Sequence, residues 1–151
     1  FAISRRHPER ILSQDAEEKH DRYIKTQLQG LDVEAAISRL DSLMRDGKVY
    51  KEKITLNELA ERLDIRQHQL SELLNSCMKT TFFNYVNDQR VREAVHLLET
   101  GPELQIIEIS LEVGFSSLSV FYREFKKRIW VSPAEYRRKN PGDNEAAAVP
   151  E

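Results

Sequence analysis

The sequence has a single cysteine, Cys77, and only five glycines and five prolines in 151 residues; aromatic residues make up 8%. One thiol excludes an internal disulfide and fits a reducing compartment, so a cytoplasmic location is expected. So little glycine and proline argues against a disordered chain, and no Gly-rich phosphate loop occurs. No apolar run approaches the roughly 18 residues that a membrane-crossing helix needs. The four histidines, His7, His20, His68 and His96, lack ligand spacing, so no metal and no cofactor is expected. Neither they nor Cys77 stand in a catalytic motif, which argues against an enzyme.

What is present suits a helical protein: 40% hydrophobic and 32% charged residues. The net charge of −2 speaks against a polyanionic partner, but the charge is unevenly placed. Arg123, Lys126, Lys127, Arg128, Arg137, Arg138 and Lys139 face only Glu124 and Glu135 in that stretch. A nucleic-acid contact needs a local basic face, not a basic total. Because the chain starts at Phe1 rather than Met, it reads as a piece of something longer or a processed product.

Residues 1–13 read as an irregular entry, and 15–29 as a polar helix with Tyr23, Ile24 and Leu28 as a thin apolar stripe. Gly30 ends it. Asp32 caps the next helix, with Val33, Ile37, Leu40 and Met44 at helical spacing and Gly47 as its stop. Thr55-Leu56-Asn57-Glu58 is a capping box opening a helix that turns Leu56, Leu59, Ala60 and Leu63 inward. A second helix over 66–78 buries Leu70, Leu73 and Leu74. Thr81 caps a longer helix over 82–99, whose inner face holds Phe82, Tyr85, Val86, Ala94 and Leu97, and Gly101-Pro102 stops it. The pattern then returns: a helix over 104–113, a turn at Gly114, a cap at Ser116 and a helix over 117–129. Ser132-Pro133-Ala134-Glu135 is a further capping box, with proline at its first helical position.

The two halves are copies. An offset of 50 aligns Leu56, Glu58, Leu59, Ala60, Leu63 and Ile65 with Ile106, Glu108, Ile109, Ser110, Val113 and Phe115. One extra residue in the second turn makes the offset 51, aligning Leu70, Leu74, Met78, Thr81 and Tyr85 with Phe121, Phe125, Ile129, Ser132 and Tyr136. A repeated helix, tight turn and helix of about 25 residues is the pattern of a helix-turn-helix unit. Ala60 and Ser110 are small where the helices cross, Asp64 and Gly114 suit a left-handed turn, and Ile65 and Phe115 plug the corner. Such a unit projects its second helix into a DNA major groove. A plain helical bundle with the same periodicity is the alternative at this point.

The second copy carries a longer motif. The run from Ile106 through Glu108, Ile109, Ser110, Gly114, Phe115 and Ser117 leads into Phe121, Phe125-Lys126 and Ser132-Pro133-Ala134-Glu135-Tyr136-Arg137. It resembles the signature of the arabinose-regulator (AraC/XylS) family. The first copy fits through Leu59-Ala60, Leu70-Ser71, Tyr85-Val86, Arg90, Ala94 and Leu97-Leu98. The resemblance covers roughly residues 54–139. It implies an all-α fold of two tandem helix-turn-helix subdomains joined by a long linker helix, reading adjacent double-stranded DNA subsites as a transcription regulator.

Position by position, the resemblance gives the first recognition helix as 67–78, with Gln67, His68, Ser71, Glu72 and Asn75 facing DNA. In the second, Leu118, Ser119, Tyr122 and Arg123 face out, with Lys126 behind. Arg123 suits a bidentate contact to guanine and Leu118 a thymine methyl. Ser116, Ser117, Lys126 and Lys127 suit phosphates, which set register without carrying sequence information. The chain departs from the family pattern in three places. Glu72 stands where a cation or amide is common, and Lys79 and Trp130 replace glycine, implying turns that either differ from the family's or carry strain of about 1 kcal/mol.

Residues 1–50 form an N-terminal helical extension, 51–100 the first subdomain with the linker helix, 101–140 the second, and 141–151 a disordered tail. The extension resembles the linker of family members with an upstream membrane sensor, Arg5, Arg6 and Arg10 being its basic flank. A connector from a soluble sensor is the alternative. The helix over 32–46 is expected to pack on the first unit or to pair with a second chain as a homodimer. RNA polymerase is an expected further partner. The competing function is an adaptor whose helices dock protein, an anti-activator or a polymerase subunit, rather than DNA.

Overall fold

The computed structural model describes residues 8–141, and the expected disordered tail lies almost wholly outside them. Eight α-helices and no strand occur among the described residues: α1 (Pro8–Gln27), α2 (Val33–Arg45), α3 (Leu56–Arg62), α4 (Gln67–Glu72), α5 (Phe82–Thr100), α6 (Ile106–Glu112), α7 (Leu118–Ile129) and α8 (Pro133–Lys139). A 3-10 turn, Val49–Lys51, precedes α3, and a π-helical turn, Leu73–Cys77, extends α4. The helix already present at Pro8 corrects the expectation of an irregular entry to residue 13. Arg5 and Arg6 lie outside the described residues.

Caps fix the helix starts. Asp32 accepts from the Ala35 N–H at 3.0 Å, Thr81 from Asn84 at 3.3 Å, and Ser132 from Glu135 at 3.2 Å. Thr55 and Glu58 close the predicted box in both directions. Two starts differ from expectation. Ser117, not Ser116, caps α7 through the Val120 N–H, because Ser116 is the extra residue of the second turn and stays outside the helix. Helix α6 begins at Ile106 rather than 104: the Gln105 N–H donates to the Glu108 carboxylate at 2.7 Å, and Leu104 folds over Gly101. The left-handed residue after α2 is Lys48, not Gly47.

Two separate cores share α5. The first gathers Leu40, Met44, Leu59, Leu63, Leu70, Leu73 and Leu74 with Tyr85 and Val86 from α5. The second gathers Val91, Ala94 and Leu98 from α5 with Ile109, Val113, Phe115, Phe121 and Phe125. The apolar stripe of α5 therefore changes sides midway, so Leu98 is buried while Leu97 and Phe82 are only partly covered. Helix α2 packs on the first unit, as expected of the 32–46 segment, and the Tyr85 hydroxyl ties it to α5 by donating to Asp41 at 3.0 Å.

Candidate nucleic-acid interface

The two turns are hydrogen-bond copies of each other. In the first, the Asp64 N–H donates to the Glu61 carbonyl at 3.0 Å and that of Ile65 to Ala60 at 3.1 Å. In the second, Gly114 donates to Leu111 at 3.0 Å and Phe115 to Ser110 at 2.9 Å. Both corners use a left-handed residue, Asp64 at φ 57° and Gly114 at φ 96°, which satisfies carbonyls the ending helix leaves open. Ala60 and Ser110 are both buried at the crossings. The Ser110 hydroxyl donates back to Ile107, so its burial leaves no orphan. Two bihelical corners thus exist, α3–α4 and α6–α7.

In the first unit Gln67, His68 and Asn75 are exposed, and Ser71 and Glu72 are half-buried. Only Glu72 and His68 among them carry an ionisable group. Glu72 lies along its own helical segment, accepting a hydrogen bond from the Ser76 hydroxyl. Asn75 lies in the π-helical turn, where the Met78 N–H reaches the Leu73 carbonyl, and donates to Ser71. Tyr23 and Gln27 of α1 border a cavity with Gln67, His68, Ser71 and Glu72, of about 460 Å³. The first unit's outer face is therefore flanked by the N-terminal helix.

In the second unit Ser116, Leu118, Ser119, Arg123, Lys126 and Lys127 are exposed, and Ser117 and Tyr122 are half-buried. Ser119, Arg123 and Lys126 share one helical face by spacing. Tyr122 lies edge-on to Phe121 and belongs partly to the second core. Lys127 leans toward α5, reaching Asn84 at 3.5 Å. Helix α7 is regular throughout and carries Lys126, Lys127 and Arg128 in its last turn. Both recognition segments end in left-handed residues, Lys79 at φ 54° and Trp130 at φ 68°, as the departures from glycine implied.

A polar clamp sets the relation between the units. From α5, the Arg90 guanidinium donates to the carbonyls of Tyr50 at 2.7 Å and Glu52 at 3.1 Å, and lies 5.4 Å over the Phe115 ring. Burial pulls its pKa below the ordinary arginine value. Gly114 closes the joint: a Cβ there would stand 2.8 Å from the Tyr50 carbonyl and 2.7 Å from that of Lys51. Lys51 also pairs with Glu112. The segment before α3 is thereby pinned to the turn of the second corner.

The family described as a helix-turn-helix domain matches residues 59–139, more than half of the chain. The chain belongs to the AraC/XylS-type helix-turn-helix family. Among curated relatives, the HTH-type transcriptional regulator YdeC of Bacillus subtilis is 31% identical over 91 residues, covering 60% of this chain and 31% of that protein. The melibiose operon regulatory protein of Escherichia coli is 29% identical over 89 residues, covering 59% of this chain and 29% of that protein. The chain thus spans about a third of the length of the curated relatives it matches. In fold it is similar to the DNA-binding domain of AdpA, solved in complex with a target DNA. The TM-score is 0.60 at 24% identity, covering 67% of this chain and 91% of that one. The AraC-type domain is a DNA-binding module of transcription regulators, not an enzyme.

Two side chains that organise this AraC-type domain escaped the sequence reading. Arg90 registers in the family motif, yet nothing in its neighbours announces that it reaches carbonyls 38 and 40 residues earlier. Glu124 looks like a solvated acid in a basic run but is buried. The repeat held a signal for it: the offset of 51 sets Glu124 opposite Leu73.

Proposed function

We propose that this domain reads two adjacent DNA subsites, laying α4 and α7 in successive major-groove segments, with Gln67, His68, Ser71, Glu72 and Asn75 meeting the first and Leu118, Ser119, Tyr122 and Arg123 the second. Ser116, Ser117, Lys126 and Lys127 hold phosphates. The observation that carries the reading is the duplicated corner: two turns with matching hydrogen bonds, both packed on one α5. Five contact positions are equivalent pairs under the offset of 51: 67/118, 68/119, 71/122, 72/123 and 75/126. The charge at them differs, so the second unit supplies most of the phosphate attraction. Helix α1 flanks the first reading face, and the duplex meets that unit only where α1 leaves room.

The parent protein on this reading is a cytoplasmic transcription regulator with a sensor upstream, contacting RNA polymerase and pairing through its N-terminal helices. No described helix is long and apolar enough to cross a membrane. Selection of bound duplexes from a random-sequence pool tests the reading. A consensus of two half-sites about one helical turn apart is expected, with affinity falling steeply as salt rises. Arg123→Ala should cost about 1–3 kcal/mol and relax preference at one base pair. Binding that ignores sequence, or none, would favour the protein-docking adaptor.

A further inference from the structure

Glu124 occupies a place where its counterpart shows that the fold needs no charge. Leu73, its equivalent, is 0% exposed, and Glu124 is 8% exposed. Burying a carboxylate costs far more than burying a leucine, and replacing buried ion pairs with apolar residues is often neutral or stabilising. The acid therefore calls for an explanation other than packing. Its partners supply one. Oε1 accepts from Arg123 Nε at 3.2 Å and Oε2 from Arg128 Nη1 at 2.7 Å. Arg128 in turn donates to the Asn84 carbonyl at 3.3 Å and pairs with Asp88, both on α5. Burial pushes the Glu124 carboxyl up, but the hydrogen bonds from Arg128 and Arg123 outweigh it and hold it below the usual carboxylate range. Both carboxylate oxygens thus accept from cationic donors, which favours the anion.

We propose that Glu124 is a positioning residue for sequence recognition: through Arg128 it is braced on the linker helix, and through Arg123 Nε it aims the remaining two-nitrogen fork of that guanidinium at a base. The proposal rests on the reading that Arg123 contacts DNA. Holding Nε leaves Nη1 and Nη2 as a planar pair, which matches guanine O6 and N7. The adjacent carboxylate also offsets the guanidinium charge, so the side chain gains little from arbitrary phosphates. Arg123 then contributes selectivity more than general attraction. The first unit has no such device, since Glu72 and Leu73 stand where Arg123 and Glu124 do.

The test uses duplexes selected by the full chain from a random pool, each with single base-pair changes in the second subsite, and an unrelated duplex as control. Glu124→Leu copies the first unit, and Glu124→Gln is the near-isosteric second variant. Once thermal melting shows each variant folded at the assay temperature, both should lose about tenfold in discrimination at the one base pair that Arg123→Ala affects. Binding to the unrelated duplex should stay level or rise. Glu124→Asp, which restores the anion, should recover part of the discrimination. If Arg123→Ala relaxes that base pair while Glu124→Leu and Glu124→Gln discriminate like the parent, Glu124 does not position the arginine and the proposal is overturned. If Arg123→Ala changes no preference either, the reading of Arg123 fails and takes the proposal with it.

Discussion

The two corners share a backbone plan and differ in almost everything laid upon it. In the first, the corner residue is Asp64, the outer face of α4 is nearly uncharged, and α1 stands beside it. In the second, the corner is Gly114, the outer face of α7 carries cations, and a buried acid braces one of them. The final turn is π-helical in the first and regular in the second. The residues that make a corner recur in both, small at the crossing and left-handed at the turn. The outward positions differ: nearly uncharged on the first face and cationic on the second.

The sharpest break of that comparison is at the turn. Gly114→Asp would give the second corner the residue the first already uses. Asp64 tolerates φ 57° with an open surrounding, being exposed. At φ 96°, a Cβ on residue 114 meets the Lys51 and Tyr50 carbonyl oxygens within 2.8 Å. Strain and overpacking together should cost about 2–4 kcal/mol, whereas Asp64→Gly should change stability by less than about 1 kcal/mol. Equilibrium denaturation of both variants checks this. Equal effects would mean that the second turn is not pinned against the 50–51 backbone.

Arg90→Ala attacks the joint instead of either corner. It removes two charge-assisted hydrogen bonds to carbonyls and the stacking on Phe115, at about 2 kcal/mol. Its signature should be in binding. Affinity for a duplex with one subsite should change little, while the gain from joining both subsites should shrink, because a looser joint lowers the effective concentration of the second contact. Comparing one-subsite and two-subsite duplexes with the variant measures that gain directly.

Much of this was legible in the chain because corners are local. Caps at Asp32, Thr55, Thr81 and Ser132, the left-handed positions and the inward leucines all follow from residues within a turn or two of each other. The offset of 50–51 then showed that the arrangement occurs twice. What did not show depends on distance along the chain. Arg90 closes on carbonyls about forty residues back, and α1 lies against the face of α4. The cap at Ser117 rather than Ser116 turned on a single inserted residue.

The smallest effect concerns how each recognition segment ends. Lys79 and Trp130 both hold positive φ, 54° and 68°, where glycine avoids the cost of a Cβ. Trp130 is 83% exposed, so removing its ring forfeits little packing. Trp130→Gly should therefore stabilise the domain by about 1 kcal/mol, less the greater freedom of glycine in the unfolded chain. The helix ladder should be untouched, because the bond from the residue 130 N–H to the Lys126 carbonyl is a backbone one. A small rise in melting temperature with unchanged DNA affinity would mark the two ends as equivalent relics of one turn. A loss of DNA affinity at unchanged stability would instead show that the exposed indole takes part in binding, and that the second end has diverged as its outer face has.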